Sequence, residues 1–265
     1  MAGLQNKGFW DRYLRVYDTL NDFSDYSQYL VEVAEGLGIV PGEKVLDAGC
    51  GTGNLSIRLR RRGAEVIGLD FSPVALAIHK EKDPSAILVN ASLEEPLPFP
   101  EGTFDRVVCT SVLFALSEEG MKLAMSEFYR VLKPEGSVVI TAMRPGGSRL
   151  EALMAHLRTR IRAQPLGAFV REAARTLMPL LQVVYYNYRM YGLRKRDGYR
   201  RLTRDDLLRE VAQGNFTDAT YSIAYRGRFH VVRAKKPKAA GNVEEKPHHH
   251  DWPLSAAKAH VRLQA

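Results

Sequence analysis

The chain contains little cysteine and no long hydrophobic run. Only Cys50 and Cys109 are cysteines among 265 residues, too few for a disulfide framework, so a reducing compartment is expected. No stretch reaches the roughly 18 to 20 apolar residues that a membrane-spanning helix needs. Trp10, Asp11 and Arg12 stand where a secretion signal would need an apolar core. These absences together predict a soluble protein of the cytoplasm.

Acidic residues are fewer than basic residues, and the excess of basic residues is concentrated in one segment. Lys and Arg number 38 against 30 Asp and Glu, a formal charge of +8. Residues 148–204 carry 13 Lys or Arg against three acids, which leaves 25 against 27 elsewhere. Apolar residues make up 45% of the chain, which excludes a wholly disordered protein. The charge therefore describes one segment and not the whole molecule.

Short apolar runs alternate with helical patterns between residues 44 and 142. Strands that alternate with helices indicate a mostly parallel sheet with right-handed crossovers. Near the end of the chain, two further runs separated by a turn predict a hairpin. The predicted strands are residues 44–48, 66–69, 86–90, 104–109, 137–142, 217–224 and 228–234.

The first predicted strand ends in the turn Asp47–Gly53 (DAGCGTG), whose alternate glycines allow a ligand to approach the backbone closely. The third glycine comes one residue too early for a dinucleotide-binding turn, and the lysine of a phosphate-binding loop is missing. The carboxylate of Asp47 would repel a pyrophosphate and suits a ligand that carries a cation. Asp70, at the end of the next strand, is where an acid would bind ribose hydroxyls.

Four ordered motifs resemble those of class I S-adenosylmethionine-dependent methyltransferases, in the group that includes quinone and small-molecule methyltransferases. The resemblance covers roughly residues 17–140 and is weaker over 202–234. It implies an α/β, Rossmann-like fold with a seven-stranded, mostly parallel sheet, helices on both faces, a final hairpin and a helical insert after strand five. The motifs are VLDAGCGTG (45–53), IGLDFS (67–72), LPFPEGTFDRVV (97–108) and RVLKPEGSVVI (130–140).

The resemblance implies S-adenosylmethionine as cofactor and assigns residues to it. Asp47 would anchor the turn and hold the amino group of the methionine moiety through backbone and water. Asp70 would bind both ribose hydroxyls, and Phe71 would cover one face of the adenine. Ser92 and Leu93 lie where the family contacts the adenine edge. The implied cofactor-binding residues are Tyr17, Asp47, Ala48, Gly49, Cys50, Gly51, Asp70, Phe71, Ser92, Leu93 and Thr110.

Two positions depart from the family's pattern. Asn90-Ala91 stands where the family often has Gly-Asp, so a carboxylate that would accept from the adenine amino group is missing. Phe114-Ala115 stands where many relatives have two histidines, so no histidine base is available there.

A general base is not evident. His156, His230 and Tyr17, the last of which resembles the family's lid tyrosine, are the candidates. His79 lies on a predicted surface helix, where a solvated side chain is expected. His248–His250 resembles a metal site but lies in a tail without partner ligands, so no metal is predicted.

The chain divides into five predicted parts. They are an N-terminal helical lid (1–40), a cofactor-binding core (41–147), a basic helical insert that covers the substrate (148–202), the end of the core (203–235) and a disordered tail (236–265).

The basic insert is expected to determine which acceptor binds, and the sequence leaves three explanations of its charge open. It could lie on an anionic membrane and admit a lipid or quinone, grip an anionic metabolite, or follow RNA with its tyrosines and arginines. A solvated, arginine-rich helix pair is the simplest alternative. We expect transfer of a methyl group to a small-molecule or lipid-like acceptor, with peripheral membrane contact open and nucleic acid disfavoured. An RNA or protein methyltransferase, or a cofactor-binding protein without chemistry, is the alternative.

Overall fold

In the computed structural model, the described residues are 7–18, 24–144, 178, 181–186, 188–189, 192, 202–225 and 227–238. Their helices are α1 (Lys7–Tyr17), α2 (Ser24–Gly36), α3 (Asn54–Arg60), α4 (Pro73–Lys82), α5 (Glu118–Val131) and α6 (Arg204–Gln213). Their strands are β1 (Lys44–Ala48), β2 (Glu65–Asp70), β3 (Ile87–Asn90), β4 (Phe104–Thr110), β5 (Leu132–Met143), β6 (Thr217–Ala224) and β7 (Phe229–Lys235).

The described strands form one seven-stranded sheet in the order β3-β2-β1-β4-β5-β7-β6. Strands β1 to β5 pair in parallel, whereas β7 pairs antiparallel with both β5 and β6. The predicted fold class is therefore confirmed. The strand order reverses between β1 and β4, so the carboxyl ends of these two strands flank the crevice in which such sheets bind ligands.

Helices cover both faces because side chains alternate along each strand. On one face, Val45, Val108 and Val139 pack under α2 and α3. On the other, Val107 and Ile140 pack under α5 and α6, together with apolar residues of the loop after β3. This two-sided burial explains why consecutive residues are apolar in the middle of these strands, at Val45 and Leu46 in β1 and from Val107 to Cys109 in β4.

Local signals set the starts of three helices. Ser72 accepts a hydrogen bond from Ala75 N (3.1 Å), and Pro73 follows it in the first turn of α4. Ser117 caps α5 in the same way. Thr203 and Asp206 form a reciprocal capping box at α6.

The polypeptide stays ordered beyond the predicted start of the tail. Lys236 is 8% exposed, and its ammonium donates to the Leu132 carbonyl (2.9 Å) and lies over the Tyr129 ring. The boundary expected at residue 235 is therefore too early, because these contacts to β5 hold the next residue. The rest of the predicted tail from residue 239, including His248–His250, lies outside the described residues.

Most of the predicted insert, including His156, also lies outside the described residues. Residues 181–186 are helical, and Val183 is buried. None of the described helices is long and apolar enough to cross a membrane.

Candidate functional site

The candidate site lies at the carboxyl ends of β1 and β2, where Asp70 connects two loops. Its Oδ2 accepts from Gly51 N (2.9 Å) and its Oδ1 from Ser72 N (2.9 Å). The carboxylate is 7% exposed. A carboxylate has about four acceptor positions, so these bonds leave capacity for a hydroxyl group of a ligand.

Asp47, one strand away, is even more deeply buried at 1% exposure. Its Oδ2 accepts from the Ser56 hydroxyl of α3 (2.6 Å). Among the described residues its Oδ1 has no hydrogen-bond partner. A buried carboxylate oxygen without a partner is costly, and a cationic or N–H group of a ligand would satisfy it.

Burial changes the protonation of both acids. It raises the pKa of Asp47 to about 6, although the Ser56 hydroxyl lowers it, and repulsion from Asp70 raises it further. Burial likewise raises the pKa of Asp70 to about 6, while the bonds from Ser72 and Gly51 lower it. Both groups therefore titrate just below neutral pH, where a cation beside them would favour the ionised form.

The glycine turn lies against side chains that leave no room for a Cβ. At Gly49, with φ +79°, a Cβ would lie 2.5 Å from a methyl group of Val112. At Gly53, with φ +83°, it would overlap the His79 ring. The turn is therefore both left-handed and closely packed, which glycine alone permits.

The prediction that His79 is a solvated surface residue is wrong. Its side chain is 1% exposed beneath Gly53, and among the described residues neither ring nitrogen has a hydrogen-bond partner. Burial lowers its pKa to about 4, so the ring is neutral. Helical spacing placed His79 on the outer face of α4, but the glycine turn packs over that position.

Helix α1 and Asp18, the residue directly after it, contact both loops. Asp18 accepts from Thr52 Oγ1 (2.6 Å) and Asn54 Nδ2 (3.0 Å), and pairs with Lys82 Nζ (2.9 Å). We call these contacts the Asp18 latch. Sequence reasoning missed it, although Asp11, Leu14 and Asp18 have the spacing of one helical face.

Two further contacts complete the attachment of α1. Asp11 accepts from the Ser72 hydroxyl (2.5 Å), next to Asp70 in the chain. Leu14 lies above Gly51, 3.8 Å from where a Cβ would stand. The helix therefore closes the cleft between the β1 and β2 loops.

Aromatic side chains of α1 pack against aromatic side chains from two other parts of the chain. Trp10 lies 6.4 Å from Phe114, measured between ring centroids, and Tyr186 lies 5.9 Å from Phe9 and 6.0 Å from Tyr13. We call these five residues the aromatic wall. It brings together α1, the turn after β4 and the helical residues 181–186, which are distant in sequence.

The remaining predicted cofactor residues occupy the same edge of the sheet. Phe71 and Thr110 are half-buried, and Ser92 Oγ accepts from Glu94 N (3.1 Å). Leu93 is buried in the core. Ala48 and Cys50 are buried within or beside β1, and burial raises the pKa of the Cys50 thiol, as expected of a structural cysteine.

Two of the three candidate bases are described. Tyr17 exchanges a hydrogen bond with the Tyr26 hydroxyl, and burial raises its pKa well above the usual value. His230 lies on β7 opposite Ala142, with its Nδ1 2.9 Å from the Tyr221 hydroxyl. Within the described residues its Nε2 has no partner, and burial lowers its pKa.

Comparison with known proteins identifies the domain. Residues 45–136 match the family model of the methyltransferase domain. By this match, residues 45–136 are a methyltransferase domain. Its matched residues run from β1 into β5 and contain the glycine turn and both buried acids.

Relatives resemble the methyltransferase domain over part of their length. An uncharacterized methyltransferase of Synechocystis sp. is 44% identical over 102 residues, 38% of this chain and 48% of that protein. The demethylmenaquinone methyltransferase of Streptomyces avermitilis is 38% identical over 128 residues, 47% of this chain and 54% of that protein. The chain therefore spans about half the length of these relatives.

A solved structure shares the fold over a longer range. The magnesium protoporphyrin IX methyltransferase of Synechocystis PCC 6803, solved with bound S-adenosylmethionine, aligns with a TM-score of 0.54 and 18% identity. The alignment covers 87% of this chain and 92% of that chain. Within the described residues of the present chain, no group of three or more His, Cys, Asp or Glu side chains is placed to hold a metal ion.

Proposed function

We propose that this protein transfers the methyl group of S-adenosylmethionine to a small, lipophilic acceptor. The observation that carries the proposal is the pair of buried acids at the ends of β1 and β2. Asp70 joins the two loops with both oxygens, and Asp47 keeps one oxygen without a partner among the described residues. These groups suit a ligand that has ribose hydroxyls at one end and a cation at the other.

Individual residues would hold the cofactor. Asp70 would accept from the ribose hydroxyls, and Asp47 would neutralise the ammonium of the methionine moiety. Phe71 would pack on the adenine, and Ser92 with Leu93 would lie along its edge. The backbone of Ala48, Gly49, Cys50 and Gly51 would line the cleft, with Tyr17 and Thr110 near the methionine end.

When bound, S-adenosylmethionine supplies a methyl group on a sulfonium, and a nucleophilic atom of the acceptor takes it by in-line displacement. The protein contributes alignment and the exclusion of water. Helix α1 would perform the second task, because Asp11, Leu14 and Asp18 close the cleft from above.

The aromatic wall favours a flat, apolar acceptor. Aromatic faces bind such molecules by burial of apolar area and by edge or stacking contacts. Phe114 stands where the sequence excludes a histidine base, which favours an acceptor that is already nucleophilic. The demethylmenaquinone methyltransferases among the relatives act on a molecule of this kind, to judge from their name.

His230 is the remaining described candidate for a base. It lies at the carboxyl edge of β5, and its Nδ1 contact with Tyr221 would orient the ring. Its lowered pKa keeps the ring neutral and able to accept a proton at pH 7. His156 remains a candidate from sequence alone.

The five-part division follows from the same proposal. Residues 1–40 would act as the lid, 41–147 and 203–235, together with the packed Lys236, as the cofactor-binding core, and 148–202 as the substrate cover. We also infer a cytoplasmic protein that makes peripheral contact with an anionic membrane through the cover. A nucleic acid partner is disfavoured because the sequence contains no recognisable RNA-binding module or base-flipping motif.

Titration calorimetry with S-adenosylmethionine tests the cofactor assignment. Asp70→Ala is expected to weaken binding by about a hundredfold, because charge-assisted bonds to both ribose hydroxyls are lost. Asp205→Ala, which removes an exposed acid on α6, is the matched control and should bind normally. Equal affinity in the Asp70→Ala variant would overturn the assignment.

The acceptor is tested separately. Cell extracts, including their lipid fraction, are incubated with methyl-labelled cofactor and analysed by mass spectrometry. Label in an aromatic lipophilic compound is expected. Label confined to RNA or protein would support the alternative enzyme classes, and cofactor binding without any transfer would support a binding protein.

A further inference from the structure

We infer that an exposed apolar stripe on the helical residues near 181–188 docks on the surface of an anionic lipid bilayer. The inference rests on the proposed function, since it names the source of a lipophilic acceptor. The stripe, which we call the outer stripe, consists of side chains that are 51% to 72% exposed: Met178, Leu181, Val184, Tyr185 and Tyr188.

The spacing of the outer stripe is helical. Its positions follow one another at intervals of three or four residues, apart from the adjacent pair Val184 and Tyr185, so they share one side of a helix. Large apolar side chains on one side of a surface helix mark an interaction site, because single exposed residues would be scattered.

The opposite side of this helical segment is already used. Val183 is 3% exposed, and Tyr186 contacts Phe9 and Tyr13 of α1 as part of the aromatic wall. The inner side therefore holds the segment against α1, whereas the outer stripe is exposed in the described part of the structure.

Charge identifies the bilayer as the occupant. Residues 148–204 carry 13 basic and three acidic residues, while the rest of the chain is nearly neutral. Of these basic residues, Arg189 is described and lies beside the outer stripe. Anionic headgroups attract basic residues that lie within a Debye length of the membrane surface. A second copy of the chain would bring two basic segments together, and an apolar protein partner would leave the charge without a counterpart.

The side chains themselves suit the headgroup region. Tyrosines place a polar hydroxyl and an apolar ring at a membrane interface, and the stripe has two. Arg189 lies with its guanidinium 5.8 Å from the Tyr185 ring centroid and donates to that hydroxyl (2.9 Å). A cation thus stands beside the apolar stripe, as in helices that lie in the membrane surface.

The arrangement connects the bilayer to the cleft. Tyr185 and Tyr186 are adjacent, with ring centroids 5.4 Å apart, but they face the outer stripe and the aromatic wall respectively. A flat acceptor that leaves the bilayer beside the stripe would therefore meet the wall next. The segment would serve both as anchor and as acceptor entrance.

Vesicle flotation tests the inference on the full chain. The protein is mixed with vesicles of phosphatidylcholine alone or of phosphatidylcholine with phosphatidylglycerol. We expect flotation with the anionic vesicles only, decreasing as salt is raised. Val184→Glu should weaken partitioning about tenfold or more, because it removes buried apolar area and adds a repelled charge.

Val40→Glu is the matched control, because Val40 is 57% exposed and Val184 55%, but Val40 precedes β1, away from the segment. It should float like the unchanged protein. Thermal unfolding of both variants checks the fold. If Val184→Glu unfolds, Tyr188→Ser, which changes the most exposed member of the stripe, replaces it.

Several results would overturn the inference. One is a protein that does not float with anionic vesicles, and another is a protein that floats equally well with neutral vesicles. A third is flotation that decreases equally in Val184→Glu and Val40→Glu. Sedimentation that shows a dimer lost in Val184→Glu would assign the stripe to a second copy instead.

Calorimetry with S-adenosylmethionine separates this test from the test of the proposed function. A protein that floats but binds no cofactor refutes only the proposed function. A protein that binds the cofactor but does not float refutes only the docking of the outer stripe on the bilayer.

Discussion

At the residue scale, Asp47 and Asp70 are buried carboxylates whose ionisation destabilises the fold. Asp47 and Asp70 are raised in pKa to about 6, so at pH 7 both are ionised in an environment that disfavours charge. Binding sites commonly retain such groups because the ligand compensates them. The folded protein without cofactor should therefore be less stable than its packing alone would allow.

Asp47→Asn tests this trade-off. The amide keeps the volume and can still accept from Ser56, but it removes the charge. We expect the free energy of unfolding at pH 7.5 to rise by about 1 to 3 kcal/mol, since two pKa units correspond to roughly that range. Cofactor affinity should fall at least about tenfold. Urea unfolding and calorimetry measure the two effects.

The pH dependence follows from the sign of the shift. The pKa of folded Asp47, about 6, lies above its unfolded value of about 4, so the cost of ionisation is fully present above pH 6 and vanishes as pH falls below 4. The stability difference between wild type and Asp47→Asn should shrink over that window. A gap that stays constant would show that packing, and not charge, distinguishes the two proteins.

Gly53→Ala separates backbone strain from steric overlap. Gly53 has φ +83° and lies against His79, whereas Gly42 has φ +88° with no atom within 4 Å of the Cβ position. Gly42→Ala should cost only the conformational penalty, about 1 kcal/mol. Gly53→Ala should lower the midpoint of thermal unfolding further and weaken cofactor binding. Equal midpoints would contradict the packing of His79 under the turn.

At the scale of elements, α1 is attached to the cofactor loops by polar contacts as well as by packing. The Asp18 latch joins it to the β1 loop and to α4, and Asp11 joins it to the β2 loop. The ion pair with Lys82 is partly solvated and contributes little. Most of the attachment at this end therefore comes from Thr52 and Asn54.

Asp18→Ala should loosen the lid without touching the cofactor residues. Losing two hydrogen bonds to a carboxylate costs about 1.5 to 3 kcal/mol each before relaxation, so we expect S-adenosylhomocysteine to dissociate roughly ten to a hundred times faster. Trp10, on the same helix, allows the rate to be followed by stopped-flow fluorescence. The Asp205→Ala variant serves as control, and an unchanged rate in Asp18→Ala would refute the latch.

At the scale of the whole molecule, a buried histidine and two buried acids change the free energy of unfolding with pH in opposite directions. The pKa of His79, about 4 in the folded protein, lies below its unfolded value of about 6.5. The unfolded chain therefore binds the extra proton, and this contribution to stability is lost as pH falls from 6.5 towards 4. The two acids act in the opposite direction between pH 6 and 4.

His79→Leu isolates the histidine contribution. The variant should gain stability relative to wild type as pH falls from 7.5 through 6 to 5, measured by urea unfolding at each pH. The difference at pH 7.5 reports packing alone, because the ring is neutral in both states. A difference that does not change with pH would place His79 in contact with solvent.

The residues whose positions were predicted correctly from the sequence are positioned by their neighbours in the chain. Asp47 and Asp70 end apolar strand runs, and the glycine turn follows directly, so their position at the carboxyl edge depends on neighbours in the chain. The hairpin of β6 and β7 is equally local. His79 and Lys236 were misplaced because each is buried by a segment far from it in sequence.

The order of strands and helices along the chain, the two acids and the glycine turn follow from the amino-acid sequence, because they arise from periodicity and from short-range backbone requirements. The Asp18 latch, the aromatic wall and the exposure of the outer stripe follow only from the folded structure. Each of these depends on which faces of distant elements meet. Side-chain packing between distant elements determines which faces meet, and the residue pattern within a single element does not.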